Sequence, residues 1–340
     1  MDVRVSVKQL LVAIACLSLL ACSKPSQQDG PLSAGQHPEF LAWVEHAVAS
    51  ANDEPSRATA QRLPHIAAAL SNLDRQVLEQ ELDVDFKPHN PMLEDGREGL
   101  LKVAGAGSAP RGGAPNLLAG TAHILVEGEL ALIHRVGRMG PLQSINFDLL
   151  RFAENGRLAE HWSFLQPMEA GFLDNMLFSL VVPRPLDLIP TANSGSTDLW
   201  SDLPPYSAKI RQTGAQVQLN KLLVAEYLDQ LYAGADVDWL VERFLAENYT
   251  LHVSGIEPGR EAYRMVLSRA IRRKDAARQE ISLAQNDLVW VLSRMQEIRE
   301  ADVPEVASTD LFRVRDGQIV EQWRVVQPSP RFSRNQNGLF

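Results

Sequence analysis

The chain has 340 residues, of which 45% are hydrophobic and 22% charged, and its formal net charge is −9. This length and composition suit two globular domains with ordinary cores, and the acidic balance argues against a nucleic-acid footprint. The basic run at Arg272–Lys274 is isolated and reads as a solvated helix face.

In chain order, residues 1–21 come first. Arg4 and Lys8 precede an apolar run, "LLVAIACLSLLA", which is too short to stay in a bilayer as a helix and reads as a secretory signal. The run ends in "LLAC", Leu19 to Cys22, which resembles the lipobox of bacterial lipoproteins. That resemblance implies that Cys16 is removed with the signal and that Cys22 is the lipidation site, carrying acyl chains such as palmitate. No thiol would then remain for disulfides, metal ligation or nucleophilic catalysis. Each buried methylene of the acyl chains contributes about 0.8 kcal/mol, so three chains would anchor the protein firmly. Ser23, rather than an aspartate, follows the cysteine, which by the same resemblance implies the outer membrane, with the protein facing the periplasm.

Residues 22–54 read as a lipidated tether, rich in Pro, Gly and Ser, followed by a short helix. Phe40, Leu41, Trp43, Val44, Ala47 and Val48 recur at helical spacing, predicting that helix over 38–50.

Two related stretches dominate the remainder: "DLLRFAENGRLAEHWSFLQP" from Asp148 and "DLFRVRDGQIVEQWRVVQP" from Asp310. Asp148/Asp310, Arg151/Arg313, Glu160/Glu321, Trp162/Trp323 and Gln166/Gln327 match, which chance does not easily give. Asn-Gly and Asp-Gly mark each as a β-hairpin. The repeat extends backwards: His89 lies 59 residues before Asp148, and His252 lies 58 before Asp310. Leu63, Ile66, Ala67 and Leu70, then Val77, Leu78 and Leu82, form helical stripes before His89. Leu219, Leu222, Leu223 and Leu231, then Trp239, Leu240 and Phe244, do so before His252. Each unit therefore reads helix, helix, strand, helix, then antiparallel strands, an α+β class with helices on one face of a curved sheet. The units span 55–168 and 215–328, joined by 169–214 and followed by a tail, 329–340. Met176–Val182 in the connecting segment is apolar but too short to cross a bilayer; it reads as a strap or a membrane-touching loop.

The first unit's "HNPMLEDGREGL", "VEGELALIHRV" and "FDLLRFAENGRLAEHWSFLQP" resemble the SnoaL-like polyketide-cyclase family of the nuclear transport factor 2-like superfamily. The second unit keeps only the last stretch well, and Leu292 stands where the first has His134. The resemblance implies two tandem cone-shaped domains, each a curved antiparallel sheet wrapped round an apolar pocket, the second degenerate. Because relatives pair sheet to sheet, it also implies an internal pseudo-dimer, with further oligomerisation open.

It nominates Asp148 as the proton-transfer group, with His89 and His134 in the same pocket; Asp310 and His252 are the second unit's weaker equivalents. Burial would raise the carboxyl pKa toward that of a useful base. His161, which alternates with Trp162, reads as facing outward. No metal spacing, nucleophile elbow or phosphate loop is present, and Gly105–Gly113 reads as a mobile loop. Two functions remain open. One is a cofactor-free acid–base step on a small, mostly apolar carbonyl compound, of isomerase, lyase or cyclase type. The other is a non-catalytic lipoprotein that binds an apolar small molecule or a partner protein.

Overall fold

The computed structural model describes residues 33–105, 116–139, 142–167, 211–252, 259–270, 276–296, 305–329 and 332–340. Cys16, Cys22, Ser23, Met176–Val182, Arg272–Lys274 and all of the Gly105–Gly113 loop beyond its first residue lie outside the described residues.

The apolar stripe after the tether forms α1 (Pro38–Ala49), which buries Phe40, Trp43, Val44 and Ala47. Asp53 and Asp74 start α2 (Glu54–Asn72) and α3 (Arg75–Glu81) by accepting the backbone N–H of Ser56 and Val77. Then follow β1 (Leu82–Pro88), α4 (Gly96–Gly105), β2 (Thr121–Glu127), β3 (Leu130–Met139), β4 (Leu142–Phe152) and β5 (Leu158–Pro167). The succession repeats as α5 (Gly214–Tyr232), α6 (Val237–Phe244), β6 (Leu245–His252), α7 (Arg260–Ala270), β7 (Ala276–Gln285), β8 (Leu288–Gln296), β9 (Val306–Arg315) and β10 (Gln318–Pro328).

The two five-stranded sheets have the same order, β1-β5-β4-β3-β2 and β6-β10-β9-β8-β7. In each, the first strand pairs parallel with the last and the other pairings are antiparallel. The chain is therefore α+β with two tandem units, as its patterning predicts, and the units are cone-like, as the family resemblance implies. Gly156 (φ 78°) and Gly317 (φ 75°) take the left-handed conformation that closes the β4–β5 and β9–β10 hairpins.

Each sheet is buried on both faces. The inner face meets its own helices: Val224, Leu240, Phe244, Val291 and Phe312 share one core in the second unit. The other face meets the other sheet: Leu149, Trp162 and Phe164 share a core with Trp290, Leu311 and Trp323. Polar ties cross between the units, among them Lys221 to Glu127 at 2.8 Å and Ala284 N–H to Glu127 Oε2 at 2.8 Å.

The stripe expected on α5 is out of phase. Leu219 and Leu222 are 58% and 56% exposed, whereas Val217, Val224, Tyr227, Leu228 and Leu231 are buried. Apolar residues occupy two sides of this helix, and the buried side includes Tyr227, whose hydroxyl has a partner in the core.

Candidate functional site

The register of β3, β4 and β5 defines the first unit's inner face. Asp148 lies opposite Ile133 on one side and Ser163 on the other; Arg135 lies opposite Asn146, one step along the same face. Arg135 donates to Asp148 Oδ2 through Nε at 3.0 Å and Nη2 at 2.6 Å, and to the Asn116 carbonyl through Nη1 at 2.9 Å. His161 Nε2 lies 3.2 Å from Asp148 Oδ1; a carboxylate only accepts, so the histidine is the donor. Asp148 is fully buried. Burial alone would raise its pKa, but Arg135 and His161 outweigh burial and draw it down to about 2. The expectation of a raised pKa is corrected: it weighed desolvation without the arginine on the neighbouring strand.

His89 and His134 are not in this pocket. His134 alternates with Arg135 along β3, so it faces the second sheet. It pairs with Phe147, and their ring centroids are 4.7 Å apart. Its Nδ1 is 2.9 Å from Nδ1 of His123, whose Nε2 is 3.1 Å from Arg313 Nη2. Arginine can only donate, so His123 accepts at Nε2 and passes its Nδ1–H to His134. His134 then carries its proton on Nε2, a buried atom without a partner among the described residues. Leu292 replaces His134 in this inter-sheet core, not in a pocket.

His89 follows β1 and stacks on Trp162 (4.1 Å, 11°). Its Nε2 is 2.8 Å from Glu160, which also holds Arg151, and its Nδ1 is 3.2 Å from the Gly338 carbonyl of the C-terminal tail. Burial would raise the Glu160 pKa, but His89 and Arg151 bring it down to about 2. The second unit repeats this station: His252 stacks on Trp323 (4.6 Å, 5°) and lies 3.8 Å from Glu321, which holds Arg313. The repeated His, Glu, Arg and Trp thus build matching stations between the sheets, whereas the repeated aspartates face inward. His161, read as outward-facing, is the histidine that touches Asp148.

The second unit's inner face is more polar. Asp310 accepts from Ser308 at 2.8 Å, Gln322 at 2.6 Å and Arg324 Nε at 2.6 Å. Gln322 Oε1 accepts from the Tyr249 hydroxyl at 2.5 Å, and the Tyr227 hydroxyl is 3.3 Å from that of Tyr263. Three residues before each repeat histidine stand Phe86 and Tyr249; eleven after it stand Leu100 and Tyr263. Hydroxyls in the second unit therefore take positions that are hydrocarbon in the first.

Residues 224–322 match the family described as the SnoaL-like domain. The second unit carries a SnoaL-like domain. The match falls on the unit whose front half departs most from the expected pattern. Solved structures similar to part of the chain include three that illustrate the range. One is a nuclear transport factor 2-like protein of unknown function from Mesorhizobium loti (21% identity, 34% of this chain and 97% of that one, TM-score 0.29). Another is the epoxide hydrolase/cyclase-like enzyme SalBIII of salinomycin pyran-ring formation (24%, 32% and 91%, 0.26). The third is Bal32a from a soil-derived mobile gene cassette (20%, 33% and 91%, 0.29). No curated protein matches the chain at a significant level.

Around the SnoaL-like unit and its neighbour, no group of three His, Cys, Asp or Glu side chains among the described residues could hold a metal ion. No described helix is long and apolar enough to cross a membrane. A shallow cavity of about 210 Å³ lies where the tail meets the first unit, lined by Pro91, Ser333, Asn335 and Leu339 among others. Asn335 donates there to the Asn90 and Leu93 carbonyls, so the tail covers the loop that follows His89.

Proposed function

We propose that the chain is a binding lipoprotein: anchored to the outer membrane through Cys22, facing the periplasm, with tandem SnoaL-like units that pair internally and hold an apolar small molecule rather than transform it. One observation supports this reading above the others. In each unit the aspartate nominated for proton transfer is closed by an arginine, Asp148 by Arg135 and Asp310 by Arg324, with further donors on the carboxylate. A carboxyl group whose pKa is drawn down to about 2, as at Asp148, binds protons too weakly to serve as a general base near neutral pH.

A second reading is favoured by the 3.2 Å contact between Asp148 and His161. An ionised aspartate that holds one ring nitrogen orients an imidazole so that the other nitrogen can move a proton, the logic of the Asp–His pair in hydrolases. In that reading His161, not Asp148, performs the cofactor-free acid–base step on a small carbonyl compound.

The test uses the full chain extracted from its membrane in detergent. Organic extraction and mass spectrometry should yield an apolar compound at close to one per chain, unchanged after prolonged incubation with the protein. A compound converted to an isomer or elimination product by the wild type, but not by His161→Gln, would replace the binding reading with the second. Recovery of no compound at all would overturn the binding reading.

A further inference from the structure

We propose that the interior of the second unit is a binding site for a small organic carboxylate, recognised by the uncommitted edge of Arg324 together with the hydroxyls of Tyr232 and Ser293. The inference rests on the binding reading above and specifies the chemical class of the ligand and the unit that selects it.

The two inner-face arginines differ in what they leave over. Arg135 commits Nε, Nη1 and Nη2 to Asp148 and the Asn116 carbonyl. Arg324 commits only Nε, to Asp310; neither of its terminal nitrogens bonds to a described residue. A guanidinium edge with two free N–H groups matches a planar carboxylate in bidentate geometry. Asp310 does not consume that capacity, because Ser308 and Gln322 also donate to its oxygens.

Two more hydroxyls stand side by side in the same interior. Ser293 is fully buried, on the strand beside Asp310. The buried Tyr232 hydroxyl lies near Arg324 and close enough to Ser293 for one hydroxyl to donate to the other, and neither has any further partner among the described residues, so the pair keeps one donor free. Buried hydroxyls left in this state are destabilising unless something supplies acceptors. Burial first, and then the nearby Asp310 charge, push the Tyr232 phenol up to about 12, so it remains a donor throughout the physiological range. Arg324 keeps 22% of its side chain exposed, so solvent reaches part of it. Around it the rings of Tyr249 and Tyr263, 5.1 Å apart, offer flat apolar surface to the body of the ligand. The first unit, with Phe86 and Leu100 at the corresponding positions and Arg135 fully committed, lacks this chemistry.

The probes are benzoate, phenylacetate and hexanoate, each compared with its neutral amide, titrated into the full chain in detergent and followed by calorimetry and saturation-transfer NMR. At least one acid should bind roughly tenfold or more tightly than its amide, as expected of a charge-assisted hydrogen bond. Tyr232→Phe and Ser293→Ala each remove one hydroxyl whose neighbouring partner is at most the other, so both should fold; each should weaken acid binding severalfold, and Arg324→Gln should abolish it. Acids that bind no better than amides, or undiminished binding in both hydroxyl variants, would overturn the proposal. A co-purifying ligand without a carboxylate would sink this inference and leave the binding reading intact. Turnover that depends on His161, with acid binding at Arg324 preserved, would do the reverse.

Discussion

Gln166 and Gln327 hold each other's strands. The Gln166 side chain accepts the N–H of Val326 at 2.9 Å, and that of Gln327 accepts the N–H of Leu165 at 3.5 Å. Each accepted N–H belongs to the residue just before the opposing glutamine, so the contact is self-complementary, as across a two-fold axis. The Gln-Pro that ends both repeats has a physical role here: it fastens one sheet to the other.

Removing either amide leaves a strand N–H without its partner. Gln166→Ala should cost about 1 kcal/mol, the usual net worth of such a bond, and Gln327→Ala, whose bond is longer, should cost less. The double variant should fall short of the sum if the two bonds fix the same sheet-to-sheet contact. Urea unfolding of the four proteins measures this; equal and additive losses would show that the glutamines act independently.

Arg135 reaches Asp148 from β3, whereas Arg324 reaches Asp310 from β10. The residue opposite Asp148 on β5 is Ser163, and the residue matching Arg135 on β8 is Ser293. Each unit thus has one arginine and one serine flanking the aspartate, exchanged in position. Arg135→Ser should destabilise the first unit by about 3–5 kcal/mol, because it leaves a buried carboxylate unpaired. Adding Ser163→Arg, which transplants the second unit's arrangement, should recover a good part of that loss in thermal unfolding. No recovery would mean that the exchange is not interchangeable between the units.

Under the proposed anchoring, Cys22→Ala should release the protein from the membrane fraction or leave it unprocessed, because the variant has no thiol to carry the proposed acyl chains. Fractionation and electrophoretic mobility report the outcome directly. A variant that sediments and migrates like the wild type would remove the membrane anchor from the proposed function.

The order of elements was legible because apolar spacing and the Asn-Gly and Asp-Gly turns are local signals. The sidedness of the strands was not. Alternation correctly separates His161 from Trp162, but a sheet buried on both faces gives no sign of which face is inside. In β9, nine of the ten residues are buried. His134 and Arg135 are neighbours, and only the β3–β4 register decides which of them meets Asp148. The family resemblance grouped Asp148, His89 and His134 together, and the register separates them. The polar character of the second interior could have been found: Tyr227, Tyr232, Tyr249 and Tyr263 are all five residues of their kind but one.

The histidine pair between the sheets should make the protein sensitive to mild acid. Burial first, then the charges of His252 and Arg135, lowers the His134 pKa to about 3; burial first, then His134, Arg313 and His252, lowers that of His123 well below its ordinary value. Both rings are therefore neutral in the folded chain under conditions where the unfolded chain protonates them. For such a group the unfolded state binds more protons below its ordinary pKa of 6.5. Stability is then full above that pH and falls, by up to about 1.4 kcal/mol per pH unit and histidine, as pH drops toward the folded value. Asp148 and Glu160, both lowered to about 2, lose their contributions only as pH falls from their ordinary values of 3.8 and 4.5 toward 2, below the range in which the histidines act alone. The second unit has Ile281 and Leu292 where the first has His123 and His134. His123→Ile combined with His134→Leu should therefore flatten the dependence of the urea midpoint on pH between about 6.5 and 4.5, leaving the carboxylate window in place. The variant should also lose stability at neutral pH, because Arg313 loses the acceptor it has in His123. The slope, not the absolute midpoint, is thus the decisive readout, and an unchanged slope would show that the acid sensitivity arises elsewhere.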